Sequence, residues 1–125
     1  NVTLINTNDL RIEESDVTYI NGRLVTDMAG MPTNVKSITA NQDVEIDVIT
    51  YEVDTSSNNV TLDFNLAAVT YLEGQIWYFK KDAIANIVTI QSTGGTIDDA
   101  ASKTIITNKD LIGCQYDGGT NFIII

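Results

Sequence analysis

Asp43-Val44-Glu45-Ile46-Asp47-Val48-Ile49-Thr50-Tyr51-Glu52-Val53-Asp54 is the stretch whose reading decides the fold. Up to Val48, acids hold alternate positions and Val44, Ile46 and Val48 hold the others, the period of a strand with one wet and one buried face. Beyond Asp47 the phase inverts, with Ile49, Tyr51 and Val53 set against Thr50, Glu52 and Asp54. A strand that changes its buried face needs a bulge or a break, because a one-residue slip sends every side chain to the other side. The inversion predicts an interruption at residues 47–49, where the chain turns a corner or changes sheet.

The surroundings are of the same kind. Ile, Thr and Val number 17, 16 and 10, so 43 of 125 residues are β-branched. Branching at Cβ restricts χ1 and suits a pleated surface better than a helix. From Val35 onward, apolar runs and turn signals alternate at roughly 8–14 residues, a spacing found in sandwiches and barrels. The pattern predicts strands over residues 35–39, 44–54, 60–64, 75–80, 87–91, 95–97, 103–106, 111–116 and 122–125. Ser56-Ser57-Asn58-Asn59, Thr93-Gly94-Gly95, Asn108-Lys109-Asp110 and Asp117-Gly118-Gly119 supply turns between them. Residues 65–73 are the sole helix candidate, and Val69-Thr70-Tyr71 limits them to about a turn. The expected fold is all-β, an antiparallel sandwich of jelly-roll type over residues 34–125.

Residues 1–33 differ in texture and are expected to form an extended arm or hairpin. Asp16-Val17-Thr18-Tyr19-Ile20 and Arg23-Leu24-Val25-Thr26 flank Asn21-Gly22, a strong hairpin signal because both turn residues tolerate positive φ. Met28-Ala29-Gly30-Met31-Pro32, with the only proline, breaks regular structure, and residues 30–34 read as a linker into the second part. A lone hairpin is marginal in water, so the arm is expected to pack on something. The first residue is Asn1 in place of Met, so the chain is expected to be a fragment or a processed product with anchoring sequence upstream.

Net charge is −10, with 10 acids to 3 bases over residues 1–54 and 7 to 4 over residues 55–125. Such a surface repels phosphate backbones and anionic lipid, so neither nucleic acid nor membrane is an expected partner. No run reaches the roughly 18 apolar residues of a membrane span. Cys114 has no intrachain partner, and its apolar setting reads as a buried thiol.

No residue constellation points to catalysis or a cofactor, and the chain is read as a non-enzyme. Histidine is absent, which removes Ser-His and Cys-His nucleophile pairs and most zinc sites. Asp43, Glu45 and Asp47 share one strand face and are candidate calcium ligands. Carboxylates about 7 Å apart along a strand do not converge, so a solvated face is preferred. Asp98-Asp99 with Asp63 or Asp117 could mimic a glycosidase pair, but nothing in the spacing selects one.

Ile76, Trp77, Tyr78 and Phe79 form the densest aromatic segment, and Phe122, Ile123, Ile124 and Ile125 close the chain. Trp77 and Phe79 point one way and Tyr78 the other, with Ile76 beside Tyr78, so both faces are apolar. Four apolar residues on a free edge would invite aggregation. These eight residues are the expected oligomer interface, with a glycan-stacking platform as the competing role.

The second part also resembles a known group. Val53-Asp54-Thr55-Ser56-Ser57-Asn58-Asn59-Val60-Thr61-Leu62 is similar to the "VDTSSGNVTVTLP" segment of small β domains in phage fibre and virion-appendage proteins. Glu73-Gly74-Gln75-Ile76-Trp77-Tyr78-Phe79-Lys80-Lys81 resembles their "GxIYTIKK" strand, and Ala85-Asn86-Ile87-Val88-Thr89-Ile90 through Gly95-Thr96-Ile97-Asp98 their "ANTVTI…GGxTIDG". Tyr116-Asp117-Gly118-Gly119-Thr120-Asn121-Phe122 resembles their closing "SDGTNWYVI", and Ser37-Ile38-Thr39-Ala40-Asn41 their opening. The likeness covers roughly residues 36–125. Asp99 stands where Gly is frequent, Phe122 where Trp is, and Asn65-Leu66 where Leu-Pro is. The resemblance implies a homotrimeric domain of a tail fibre or head fibre, located in the virion, contacting other virion proteins and a bacterial surface glycan. A capsid decoration protein and a monomeric carbohydrate-binding module are the alternatives.

Overall fold

The computed structural model describes residues 34–125 together with the backbone at 19–20 and 23–24. The chain divides into two compact units, Asn1–Pro32 and Thr33–Ile125. In the first, β1 (Tyr19–Ile20) pairs antiparallel with β2 (Arg23–Leu24), Tyr19 opposite Leu24 and Ile20 opposite Arg23. Asn21-Gly22 and residues 30–33 of the expected linker lie outside the described residues, while Asn34, its expected last residue, is already in a strand.

The second unit is built from β3 (Asn34–Ile38), β4 (Gln42–Asp43), β5 (Val48–Val53), β6 (Val60–Asp63), β7 (Ile76–Lys81), β8 (Val88–Gln91), β9 (Thr96–Ile97), β10 (Ser102–Ile105), β11 (Leu111–Tyr116) and β12 (Asn121–Ile124). No helix occurs among the described residues. Residues 65–69 make one turn, with Val69 N donating to Asn65 O at 2.9 Å and Asn65 Oδ1 capping Ala67 N at 3.1 Å.

Two sheets face each other. One has six strands in the order β3-β5-β7-β11-β12-β9, the other four in the order β10-β8-β6-β4. From β3 to β10 successive strands alternate between them. This corrects the antiparallel expectation. β3–β5, β5–β7, β4–β6, β6–β8 and β9–β12 are parallel pairs, while β7–β11, β11–β12 and β8–β10 are antiparallel. The reason is where the turns lead. Ser56-Ser57-Asn58-Asn59 carries the chain across to the facing sheet and not back beside its own strand, so the next strand to reach the first sheet runs the same way. The result over residues 34–91 is a coil of stacked rungs. Its second rung keeps one spacing in both sheets, with Thr50 opposite Tyr78 and Val60 opposite Val88, each pair 28 residues apart, whereas the first is shorter, with Val35 opposite Thr50 and Gln42 opposite Leu62.

The predicted interruption is present. The chain leaves β4 in the small sheet, turns at Ile46–Asp47 and enters β5 in the large one. Pairing with β3 skips Ile49, since Asn34 faces Val48 and Val35 faces Thr50, a bulge that resets the inward phase. Tyr51 and Val53 then point into the core.

That core is aromatic at its centre. Phe64, Trp77, Phe79 and Phe122 are fully buried, and Tyr51, Tyr71 and Tyr116 nearly or fully so. Phe64 stacks on Phe122 with centroids 3.9 Å apart and meets Trp77 edge-on at 5.1 Å. The polar tips of buried aromatics need partners. Trp77 Nε1 donates to Glu45 O at 3.0 Å, and Tyr71 Oη donates to Val44 O at 2.7 Å. Cys114 is enclosed, and burial pushes its thiol up to about 12, which leaves it unreactive at neutral pH.

Trp77 is part of the monomer's own core, so Trp77→Ala should cost about 3–5 kcal/mol of folding stability, read from urea unfolding. A cost under 1 kcal/mol would contradict its packing. Burial likewise pushes the Tyr51 phenol up to about 12 and raises that of Tyr71. An unfolded tyrosine ionises near 10. A pKa raised in the folded state favours the protonated phenol there, so this stability is complete below about pH 10 and is lost as pH rises through the folded value. The urea midpoint should therefore hold steady up to about pH 10 and fall above it, in step with tyrosinate absorbance.

Candidate assembly surface

Alternation along β7 and β11 separates the expected interface residues into two groups. Trp77, Phe79 and Phe122 point inward and are fully buried, and Ile124 packs half-buried against the core. The three aromatics are therefore not available to a glycan or a second subunit. Ile76, Tyr78, Ile123 and Ile125 lie on the outer face of the six-stranded sheet.

The pairing places these outward residues in rows. Val35 faces Thr50, Thr50 faces Tyr78, and Tyr78 faces Gly113, whose carbonyl accepts from Ile125 N at 3.0 Å. In adjacent rows Ile76 and Ile123 flank Gln115, and Leu111 pairs with Lys80. Val35 (61% exposed), Leu111 (52%), Ile123 (39%) and Ile125 (57%) therefore belong to one surface. Nothing local in the sequence assigns Val35, Leu111 and Gly113 to this surface; cross-strand register does.

Gly113 sets the contour of this face. A Cβ there would lie 2.9 Å from Ile125 Cγ1 and 3.1 Å from Tyr78 Cε1, so both side chains close over a bare backbone. Charge is nearly absent. Glu52 and Lys80 are cross-strand neighbours of opposite sign, and Glu52 also accepts from Ser37 Oγ at 3.1 Å.

The outer face of the four-stranded sheet is the opposite in character. Thr61, Thr89 and Thr104 align in one row, and Asp43, Asp63, Gln91 and Ser102 in the next. Asn41, Gln42, Asp43, Thr61, Asp63 and Gln91 line a shallow groove of about 470 Å³ on it.

The carboxylates weighed for metal or catalysis are used locally. Asp43 accepts from Asn65 Nδ2 at 3.1 Å, and Glu45 takes Lys36 Nζ at 2.6 Å and Gln42 Nε2 at 3.2 Å. The chain turns at Asp47, so the three do not share a strand, and no metal-competent group of three such side chains occurs among the described residues. Asp63 accepts from Thr93 N and Oγ1 at 2.7 and 2.6 Å, and Asp117 Oδ1 from Gly119 N at 2.7 Å. Asp98 and Asp99 occupy left-handed turn positions, with φ of 51° and 64°. The frequent Gly of the resembling domains thus falls here on a residue that tolerates positive φ. No family model and no curated protein matches the chain.

Because Gly113 admits Tyr78 and Ile125 only by lacking a Cβ, Gly113→Val should destabilise the fold by about 1–3 kcal/mol in urea unfolding. Gly113→Ala should do so less. No loss with valine would mean that the two side chains do not close there.

Proposed function

We propose that this chain is a self-assembling structural module of a phage virion, a tail-fibre or head-fibre domain and not a catalyst. It trimerises through the outer face of the six-stranded sheet. One observation carries the reading, the near-neutral apolar surface formed by Val35, Ile76, Tyr78, Leu111, Ile123 and Ile125 on a chain of net charge −10. Copies of so acidic a molecule repel each other over most of their surface. Around a threefold axis three copies of equal charge converge, so the face they bring together needs little net charge. This face meets that condition and gains from leaving water.

The threefold stoichiometry, the virion setting and the glycan receptor rest on the sequence resemblance. A monomeric carbohydrate-binding module is less well supported, since stacking on a sugar needs an open aromatic platform and Trp77 and Phe79 are enclosed.

Sedimentation should give a particle of about 41 kDa, three chains of 13.7 kDa. Tyr78→Glu with Ile123→Glu should yield a folded monomer, with unchanged far-ultraviolet dichroism. A wild-type chain that sediments as a monomer at high concentration overturns the proposal.

A further inference from the structure

Charge is spread unevenly about the outer face of the six-stranded sheet. Residues 34–125 carry 12 acids and 5 bases, yet on that face Glu52 and Lys80 are cross-strand neighbours that cancel. The acidic excess lies elsewhere. Asp43 and Asp63 stand side by side on the outer face of the four-stranded sheet, and Asp98 and Asp99 are exposed in the turn after β9. Glu45 pairs with Lys36 and Asp82 with Lys109, while Asp43, Asp98 and Asp99 have no basic partner among the described residues.

Salt decides how far that excess is felt. The Debye length is about 30 Å at 0.01 M ionic strength and about 8 Å at 0.15 M. The first is comparable with the width of a domain of this size, so every charge of one copy acts on the next. The second is shorter than the roughly 10 Å between two packed sheets, so acids on the four-stranded sheet are largely screened from a copy seated on the other. What the face then presents is apolar area and one cancelling pair, and apolar burial does not depend on charge. We infer, resting on the trimeric reading above, that assembly through this face is gated by ionic strength. Self-repulsion among copies of net charge −10 holds them apart in dilute salt, and screening by simple ions admits them. The sign of the salt effect is diagnostic. Subunits joined by exposed opposite charges loosen as salt rises, whereas these come together.

Sedimentation of the full chain over a dilution series, in dilute and in physiological NaCl, tests the gate. The protein concentration at half-assembly should fall about tenfold or more between roughly 0.01 M and 0.15 M salt. Asp43→Asn with Asp98→Asn and Asp99→Asn removes three of the ten net negative charges. All three residues are exposed and lie outside the assembly face, and asparagine keeps their shape. Repulsion follows the product of the charges, so it should drop by roughly half and the tenfold shift to about threefold. Half-assembly that does not move with salt, or moves to higher concentration, overturns the gate and leaves the trimer standing. So does a variant that responds to salt as strongly as the wild type, since the effect would then be salting-out of apolar surface. A chain that stays monomeric at both salts overturns the trimer itself, and the gate with it.

Discussion

The architecture depends on letting the chain leave one sheet and enter the other at residues 44–47 without stranding its backbone groups. A buried peptide outside a ladder must find other partners. Side chains supply them. Tyr71 donates to Val44 O, Tyr51 Oη accepts from Glu45 N at 2.8 Å, and Trp77 donates to Glu45 O. At the exposed end of the crossing, Gln75 Nε2 reaches Ile46 O at 2.8 Å and Asn34 Nδ2 reaches Asp47 O at 3.2 Å, where water is the alternative partner. Three of these five are core aromatics, so the residues that fill the interior also satisfy the crossing. Phe64 completes the link between layers, placing its ring against Tyr71, Trp77, Phe79 and Phe122. Removing any of these rings would loosen the packing and the connection together.

Much of this was legible in the sequence because strands and turns are local. The phase inversion after Asp47 located the sheet change, and most predicted strands fall within one or two residues of those observed. The direction of the strands was not legible, since a turn signal marks where a chain bends and not which sheet it enters next. A faint trace of the coil does exist. Tyr51, Asp54, Asn58 and Val60-Thr61-Leu62 recur 28 positions later as Phe79, Asp82, Asn86 and Val88-Thr89-Ile90. Lys81 opposite Val53 disguises the repeat, because a lysine there reads as a surface residue when its ammonium is in fact capped by three carbonyls.

The surface was half legible for a related reason. Alternation in Ile76-Trp77-Tyr78-Phe79 shows that two faces exist, but with both apolar it does not say which is the core. The decision comes from tertiary partners, Phe64 and Phe122 for one face and the bare Gly113 for the other. Isolated residues such as Val35 and Leu111 acquire meaning only through cross-strand register.

The edges explain why association would use a face. β9 and β4 are two residues long, too short to template another chain. β3 is longer, but Lys36, opposite the inward Tyr51, turns its ammonium to Glu45 at the core side, a charge that an incoming strand would have to bury. β10 carries Lys103 on its inward-facing register, opposite Ile90. With the edges short or charged, growth by strand addition is discouraged at both ends of each sheet. The apolar area this acidic molecule leaves uncovered on its larger sheet would then be hidden through the sheet's face and not along its strand edges.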